Sequence, residues 1–360
     1  MSAIFTLGAV AIIYGGGQVP PANLITGLIA ETLINMNYVV YGVHKSFMGM
    51  ADSTCYERFD ALKAKQIQTQ IGTYLATCRK VEPDSDEYFE KIFNELRKRA
   101  IHTLIIPGGD GSSRAAAAFL KKMREKNYPF RILFIPCTID GIENSDSIGL
   151  DSAVQLTYKH IQFIIANAFA TYKHGFETGR IAIIETQGRN RNDISYYASK
   201  MIAESGIKDF HFIPAAYKWS VVRELEFLNT VKKEFAVIIP EGARPIERYW
   251  DAISGKGPGS KLENMIVASK YKEVNLNEIG YLGQTCDVSA GDKKKCEIWV
   301  KFLEKILRQT EGKWDSYALI MNPQGLLETM PIEDFAAATN SDVAIPLTEE
   351  QQKEMRNFLP

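Results

Sequence analysis

Short runs of apolar, mostly β-branched residues recur along this 360-residue chain, and each run ends in glycine, proline or a polar residue. Longer segments with the spacing of amphipathic helices lie between the runs. The runs predict strands at 10–14, 38–43, 103–106, 132–136, 181–185, 211–214, 236–240 and 317–321. Nearly continuous apolar strands that alternate with helices are typical of parallel sheets covered on both faces. The pattern therefore predicts an α/β fold.

The length and charge of the chain limit its organisation and its partners. A chain this long exceeds what one hydrophobic core usually holds, which predicts two α/β domains. The 42 basic and 43 acidic residues nearly cancel. Because nucleic-acid affinity depends on positive charge, nucleic acid is not predicted as a partner.

The apolar run 9–13 lacks a preceding basic cluster and is too short to span a bilayer, so neither export nor a membrane partner is predicted. The five cysteines form no CxxC pair and no disulfide-framework spacing. They indicate a reducing, cytoplasmic location and no structural metal.

The residues that follow five of the predicted strands are unusually rich in glycine and polar side chains. They are YGGGQVPPAN (14–23), PGGDGSS (107–113), PCTIDGIENSDS (136–147), TQGRNRND (186–193) and PEGARP (240–245). Ligands of such folds bind at the carboxyl ends of the strands. The chemistry of the protein is therefore expected at these five strand ends.

The segment PGGDGSS has the composition of an anion-binding loop. Glycines let consecutive amide groups turn toward a ligand, and the helix predicted to begin near Ser112 adds its positive end. A polyphosphate is the predicted ligand, and a plain strand-to-helix turn is the alternative. Asp110 favours the ligand, because a carboxylate among phosphate-binding amides repels phosphate unless a cation lies between them. Asp110 is therefore predicted to hold magnesium, with capping of the helix as the alternative.

Asp140 is the candidate general base. It follows the apolar segment RILFIP, and partial burial is expected to raise its proton affinity and prepare it to accept a proton from an alcohol. Phosphoryl transfer requires little else beyond positioning and positive charge. Arg79 and Arg189 could supply that charge, and ordinary surface positions are the alternative for both.

Seven motifs occur in the order and roughly the spacing of one known family. They are YGVHKSFMGM (41–50), GTYLATCR (72–79), GGDGS (108–112), TIDG (138–141), IGLDSA (148–153), QGR (187–189) and PEG (240–242). On these motifs the chain resembles, from about Gly8 to Gly283, the phosphofructokinase family of A-type kinases, which phosphorylate fructose 6-phosphate at its 1-hydroxyl. The resemblance implies two Rossmann-like three-layer lobes with mainly parallel sheets and the active site in the cleft between them. It also implies a homodimer or homotetramer that uses magnesium with ATP or pyrophosphate.

The resemblance assigns roles to residues on the donor side. Asp140 matches the catalytic base, and Thr138 matches the neighbouring residue that helps hold the transferred phosphate. Arg79 matches the arginine that bridges the phosphates in the transition state, and Asp110 matches the magnesium-associated acid. The residues that match the phosphate-donor loops are Gly16, Gly17, Gly108, Gly109, Gly111 and Ser112.

On the sugar side, Gly188 and Arg189 match an MGR turn whose methionine is replaced by Gln187. Glu241 matches the acid that holds sugar hydroxyls. Arg180 matches an arginine that reaches into the sugar-phosphate site of the neighbouring subunit. The resemblance therefore implies that an oligomer completes the site.

The chain departs from the family pattern in its phosphate pocket. In YLGQTCDVSAGD (281–292), Gln284 replaces a histidine or tyrosine and Asp287 replaces a phosphate-binding arginine. Glu278 replaces the second arginine that is donated across the interface. Carboxylates repel phosphate, so a phosphorylated sugar is predicted to bind poorly unless the local alignment slips. The run 293–295 of three lysines could compensate, with a solvated surface as the alternative.

Further positions bear on the second acid and on the choice of donor. Ile142 replaces the second acid that most family members carry beyond the base, with Glu143 as a candidate substitute. Gly111 and Cys137 are small and uncharged where pyrophosphate users tend to carry an acid and a lysine. ATP is therefore the predicted donor. Pyrophosphate remains the alternative, since the TIDG motif and the first loop, with Gln18, depart from the usual ATP pattern.

By resemblance, the donor lobe comprises residues 1–151 plus about 283–327, and the sugar lobe comprises 152–282 plus about 328–360. The predicted function is ATP-dependent phosphorylation of fructose 6-phosphate. The alternatives are a kinase for another sugar or alcohol, and a non-catalytic regulatory paralogue. A different GGDG kinase, resembling NAD or lipid kinases, would explain one strand end rather than five.

Overall fold

The computed structural model describes residues 8–78, 85–142, 145–170, 180–189, 191–215, 219–268, 273–339 and 347–356. The chain divides into two compact units. Unit 1 comprises Met1–Ser152 and Gln284–Ser341, and unit 2 comprises Ala153–Gly283 and Asp342–Pro360. No helix in the described ranges has both the length and the apolar character needed to cross a membrane.

Among its described residues, unit 1 contains one eight-stranded, mainly parallel sheet. Its strands are β1 (Ala9–Ile12), β2 (Val39–Val43), β3 (Tyr56–Phe59), β4 (Ile101–Gly108), β5 (Arg131–Thr138), β6 (Ile148–Gly149), β11 (Tyr317–Met321) and β12 (Leu327–Pro331). The order is β12-β11-β5-β4-β1-β2-β3, and the short β6 pairs with the end of β5. The edge strands β3 and β12 run antiparallel to their neighbours.

Helices cover both faces of this sheet. They are α1 (Ala22–Asn35), α2 (Ser46–Gly49), α3 (Ala61–Gln68), α4 (Asp86–Lys98), α5 (Asp110–Glu125), α10 (Ala290–Gln309) and α11 (Ile332–Ala338). Alternate strand residues such as Ala11, Ile106 and Phe134 are buried in one core with α4, α5 and α11. Successive side chains of a strand point to opposite faces. The intervening Ile12 and Ile105, also fully buried, therefore face the side that α1 and α10 cover.

The described part of unit 2 contains a four-stranded parallel sheet in the order β10-β7-β9-β8. The strands are β7 (Ile181–Thr186), β8 (Phe210–Phe212), β9 (Phe235–Pro240) and β10 (Val274–Glu278). The helices are α6 (Leu150–Ala170), which begins at the end of the first segment of unit 1, and α7 (Asp193–Glu204), α8 (Val221–Thr230), α9 (Pro258–Ala268) and α12 (Glu349–Arg356). Apolar side chains of α6 and α7 form a core on one face, and those of α8 and α9 form a core on the other.

The predicted fold class is confirmed, because both units are α/β, with mainly parallel sheets between helical layers. All eight predicted strands are present, with ends shifted by up to two residues. The predicted boundary near residue 327 is wrong, since unit 1 continues to Ser341. β12 pairs along its whole length with β11, and α11 packs on the same sheet, which keeps this segment in unit 1.

Candidate active site

Two glycine-containing loops of unit 1 lie against each other at the carboxyl edge of the sheet. The Gly15 amide donates to the Pro107 carbonyl oxygen at 2.9 Å. A Cβ atom at Gly15 would lie 2.3 Å from the Ser112 Oγ, and one at Gly108 would lie 2.9 Å from the Ser112 Cβ. Contacts this short exclude any side chain at either position. The neighbouring Gly16, with φ +91°, adopts a conformation that favours glycine.

Helix α5 begins within the predicted anion-binding loop. β4 extends through Gly108, Gly109 is the N-cap, and Asp110 is the first helical residue. The helix therefore starts two residues earlier than predicted. The capping alternative for Asp110 is wrong, because Gly109 holds the N-cap position. No heavy atom lies within 4 Å of a Cβ built on Gly111, so this position faces open space.

The candidate base lies beside this helix end. Thr138 is the last residue of β5, and its Oγ1 accepts a hydrogen bond from the Asp140 amide at 3.2 Å. A Cβ built on Gly109 would lie 3.5 Å from the Thr138 Cβ and 3.6 Å from its Oγ1. A Cβ built on Gly16 would lie 3.7 Å from the Gly109 nitrogen. The structure thus brings three of the predicted segments together in unit 1, while Gly17, in the first of them, is half-buried.

The positions around the base differ in their surroundings. Ile142, where a second acid was expected by resemblance, is 6% exposed and belongs to the core that contains Phe134. An isoleucine there contributes to packing rather than to proton transfer. Glu143, the candidate substitute, and Arg79, the candidate phosphate-bridging arginine, lie outside the described residues.

Cys137 is buried near the end of β5. Its side chain is 1% exposed, and its Sγ lies 3.4 Å from the hydroxyl oxygen of Tyr14. Burial raises the pKa of Cys137 to about 12. The thiol is therefore uncharged at neutral pH, and Tyr14 fills the space beside it.

Asn23 joins the first loop to the segment that precedes Arg79, and sequence reasoning missed this role. Its side chain is 2% exposed, its Nδ2 donates to the Gln70 carbonyl at 3.1 Å, and its Oδ1 accepts from the Tyr74 amide at 2.5 Å. The Lys45 amide also donates to the Leu75 carbonyl at 2.7 Å. Residues 70–75 are therefore held by backbone contacts from two directions. No local pattern marks this asparagine, because its partners lie about 50 positions along the chain.

A single carboxylate beside the predicted phosphate-binding loop is compatible with magnesium. Among the described residues, no group of three or more His, Cys, Asp or Glu side chains could hold a metal ion by itself. Magnesium usually takes one or two protein carboxylates and completes its coordination with substrate phosphates and water. Asp110, the first residue of α5, is the carboxylate that fits this pattern.

In unit 2, the two predicted turns of the sugar side contact each other closely. Gly188 has φ +128°, and a Cβ there would lie 2.4 Å from the Arg191 carbonyl oxygen. A Cβ at Gly242 would lie 1.6 Å from the Arg189 carbonyl oxygen. The Glu241 amide donates to the Thr186 carbonyl oxygen at 2.9 Å. Glycine at both positions thus lets the QGR and PEG turns pack together, with Arg189 and Glu241 exposed.

Gln187 lies against the segment that returns to unit 1. A Cβ built on Gly283 would lie 2.9 Å from the Gln187 Oε1. This oxygen is buried and has no hydrogen-bond partner among the described residues. Gln284, at the end of the turn Gly280–Gln284, is half-buried and is the first residue of the return to unit 1.

The carboxyl edge of the unit 2 sheet is acidic. Glu185 of β7 is the direct register partner of Glu278 of β10. Burial raises the pKa of Glu185, and the charges of Glu278 and Glu241 raise it further. The hydrogen bond from the Gly259 amide lowers this pKa in part. That amide donates to the Glu185 Oε2 at 2.7 Å. Three carboxylates therefore share this edge, where the family pattern has a phosphate-binding arginine in place of Glu278.

Arg180 lies at the opposite end of the strands of the same sheet, where β7 begins. It immediately precedes β7, whereas Gln187 immediately follows it. The Arg180 Nη2 donates to the Glu273 Oε1 at 2.9 Å, and the Arg180 side chain is 11% exposed. A six-residue strand spans about 20 Å. Arg180 is therefore not brought together with the QGR and PEG turns of its own unit.

The lysines proposed to compensate for the lost arginines lie on α10. Lys293 and Lys294 are exposed, as is Asp287, whereas the Lys295 Nζ lies 2.6 Å from the Asp146 Oδ2. Lys293 and Lys294 therefore fit the alternative of a solvated surface run, whereas Lys295 forms an ion pair within unit 1.

Comparison with known proteins identifies the family. The family profile described as Phosphofructokinase matches residues 9–298. An ATP-dependent 6-phosphofructokinase of Staphylococcus epidermidis is 24% identical over 335 residues, which cover 92% of this chain and 94% of the relative.

Two solved structures share the fold. The pyrophosphate-dependent phosphofructokinase of Marinobacter aquaeolei has a TM-score of 0.76 at 14% identity, over 98% of this chain and 91% of its own. The phosphofructokinase of Pichia pastoris in the T-state has a TM-score of 0.75 at 17% identity, over 92% of this chain. This chain spans 35% of the Pichia chain. Because the family profile covers most of its length, the chain belongs to the phosphofructokinase family and is a phosphotransferase of the phosphofructokinase type.

Proposed function

We propose that this protein transfers the γ-phosphoryl group of ATP to the 1-hydroxyl of fructose 6-phosphate, with Asp140 as the general base. The observation that carries the proposal is the proximity of Gly109, at the N-terminus of α5, to Thr138, two residues before Asp140: a Cβ built on Gly109 would lie 3.5 Å from the Thr138 Cβ. A phosphate held by the amides of this helix end would lie beside the base. Family membership supports the reaction type.

The chemistry follows from these positions. Asp140 accepts the proton of the acceptor hydroxyl as its oxygen attacks the γ-phosphorus, and the bond to the bridging oxygen of ADP breaks. Thr138 and Arg79 stabilise the transferred group. Asp110 would hold magnesium, which would neutralise charge on the donor phosphates.

The two positions that bear on the donor support ATP. Gly111 faces open space, which leaves room for the nucleoside side of ATP, and Cys137 is buried and uncharged. The S. epidermidis relative is named as ATP-dependent. Pyrophosphate remains the second donor to test.

The two units would bind different substrates. Unit 1 would hold the donor on its glycine loops, and unit 2 would hold the sugar phosphate on the QGR and PEG turns. Arg180, which lies at the edge of the unit 2 sheet opposite those turns, would serve the site of a neighbouring subunit in a homodimer or homotetramer.

A second candidate is a kinase whose acceptor carries no phosphate. The acidic edge formed by Glu185, Glu241 and Glu278 favours it, because carboxylates accept hydrogen bonds from hydroxyl groups and repel phosphate.

The test is a transfer assay on the purified protein with magnesium. ATP and pyrophosphate are each combined with fructose 6-phosphate and, separately, with unphosphorylated sugars and polyols. ADP formation that depends on fructose 6-phosphate supports the first function, and turnover only with an unphosphorylated acceptor supports the second. A protein that binds ATP and yet transfers to no acceptor would contradict both.

A further inference from the structure

Ser147 holds the backbone on both sides of Ile139. Its side chain is 1% exposed, and its Oγ lies 3.1 Å from the Thr138 carbonyl oxygen and 3.2 Å from the Asp140 carbonyl oxygen. A hydroxyl has one proton, so these two carbonyls share it. They belong to the two residues whose side chains are proposed to hold the phosphate and to act as base.

Ser147 is itself fixed by two other elements through Asp146. The Ser147 amide donates to the Asp146 Oδ1 at 2.8 Å, and the Lys295 Nζ of α10 lies 2.6 Å from the other carboxylate oxygen. The Asp146 amide donates to the carbonyl of Met321, the last residue of β11, at 3.0 Å. The serine therefore cannot follow a displaced base without breaking contacts to α10 and β11.

The chain beyond Ser147 is anchored as well. Gly149 pairs with Thr138 in the ladder of β6 with β5, and its amide donates to the Asp292 Oδ1 at 2.9 Å. The Asp292 side chain is fully buried, and it also accepts from the Ser152 amide and hydroxyl. Helix α10 thus holds the residues before and after Ser147 with side chains one turn apart.

We propose that Ser147 is a positioning residue of the transfer reaction, which fixes the backbone of Thr138 and Asp140 so that the base meets the acceptor hydroxyl. This inference rests on the proposed function. A base carried on a loop needs such support, because a displacement of about 1 Å can cost about 100-fold in rate. The Lys295–Asp146 ion pair stabilises the position of Ser147, and it therefore contributes to the same positioning of the base.

The experiment compares Ser147→Ala with Ser316→Ala. Ser316 is 5% exposed, and its Oγ accepts from the Ile132 amide at 2.9 Å, near the opposite end of β5. Both variants remove one buried hydroxyl and one set of hydrogen bonds to the same strand. Hydrogen exchange of peptides that cover 138–149 and steady-state kinetics are measured on each full-length protein, together with Ser147→Thr, which restores a hydroxyl, and Lys295→Met.

We expect Ser147→Ala to exchange faster over 138–149 than wild type and Ser316→Ala, and to lose about 10- to 100-fold in kcat. The KM for ATP should stay within about twofold, because the glycine loops are untouched. Lys295→Met should show a smaller loss, and the double variant Ser147→Ala, Lys295→Met should lose no more than Ser147→Ala alone, since both act through Asp146. Ser147→Thr should recover part of the rate.

Two results would overturn the proposal: unchanged exchange over 138–149 in Ser147→Ala, or faster exchange with unchanged kcat. An equal loss of kcat in Ser316→Ala would also overturn it, by showing a general effect of stability. If wild-type protein transfers no phosphoryl group, the proposed function fails. The exchange rates then decide by themselves whether Ser147 holds this segment.

Discussion

Gly15 and Ser112 occupy adjoining space, because a Cβ atom at position 15 would stand 2.3 Å from the Ser112 Oγ and 2.6 Å from its Cβ. The first residue lies after β1 and the second in the first turn of α5. Their proximity leaves no space for a side chain at position 15. A methyl group at position 15 should therefore displace the first glycine loop from the N-terminus of α5.

Gly15→Ala should raise the Kd for ATP about 10-fold or more, because the first loop or α5 must shift to avoid the Ser112 side chain. Ser112→Gly in the same protein removes both atoms of the collision and should recover most of the affinity, since the next atom, the Ile106 Cγ2, lies at 3.6 Å. Titration calorimetry with ATP measures both. No recovery in the double variant would show that the collision is not the cause.

Asp140→Asn should reduce kcat by about 100- to 10,000-fold while the affinity for ATP changes little, because it removes the base without changing the size of the side chain. The matched comparison is Asp193→Asn, which alters a carboxylate at the start of α7 that pairs with Arg191. Single-turnover kinetics and nucleotide binding separate the two effects. A loss of less than about 10-fold would remove Asp140 from the role of base.

Gly111→Asp should reduce kcat/KM with ATP at least about 10-fold more than with pyrophosphate, because a carboxylate there would repel the part of ATP that pyrophosphate lacks. The fold should tolerate it, since no heavy atom lies within 4 Å of the new Cβ. Gly111→Asn is the uncharged control of similar size and should show a smaller difference between donors. Equal losses with both donors would contradict the role of Gly111 in donor choice.

Gly242→Ala should raise the KM for the acceptor and leave the KM for ATP unchanged, because its Cβ would lie 1.6 Å from the Arg189 carbonyl oxygen and would separate the QGR and PEG turns. Gly206→Ala is the control in the same unit. It has φ +89° with no atom within 4 Å, so it adds about 1–2 kcal/mol of backbone strain away from the turns. Equal changes in the acceptor KM in both variants would attribute the effect to stability.

The strands predicted from the sequence include every interior strand of both sheets and one edge strand, β8, whereas the other three edge strands and the short β6 were missed. The predicted strands are rich in apolar residues because helices cover both faces of the sheets. β3, β10 and β12, read as YERF, VNLNE and LETMP, form edges with partly exposed side chains, so their composition resembles that of loops. β6 has two residues, too few for any pattern.

In the candidate site, residues with local roles were predicted, whereas residues that act through distant segments were not. Glycines at strand ends are visible locally, because only a bare backbone fits there. Asn23 and Ser147 act through contacts with other segments, Asn23 with residues about 50 positions away and Ser147 through the Lys295–Asp146 pair. Such roles depend on which segments the fold brings together. Local sequence contains no signal for that.

Glu185 gives unit 2 a pH-dependent stability whose sign follows from its burial. Burial, with Glu278 and Glu241 nearby, raises its pKa above the unfolded value of about 4.3. Between those two values the folded protein binds a proton that the unfolded chain does not bind. The free energy of unfolding therefore falls as the pH rises through this window, and it stays lower above the folded pKa.

Glu185→Gln should remove this part of the pH dependence. Its amide oxygen can still accept from the Gly259 amide, so the contact with α9 is kept. The variant should be more stable than wild type near pH 7.5, and the difference should shrink toward pH 4. Urea unfolding followed by tryptophan fluorescence at several pH values measures it. Glu226→Gln, at an exposed position of α8, should stay within about 0.5 kcal/mol of wild type throughout. A difference for Glu185→Gln that does not change with pH would show that the carboxyl at 185 titrates alike in the folded and unfolded chains.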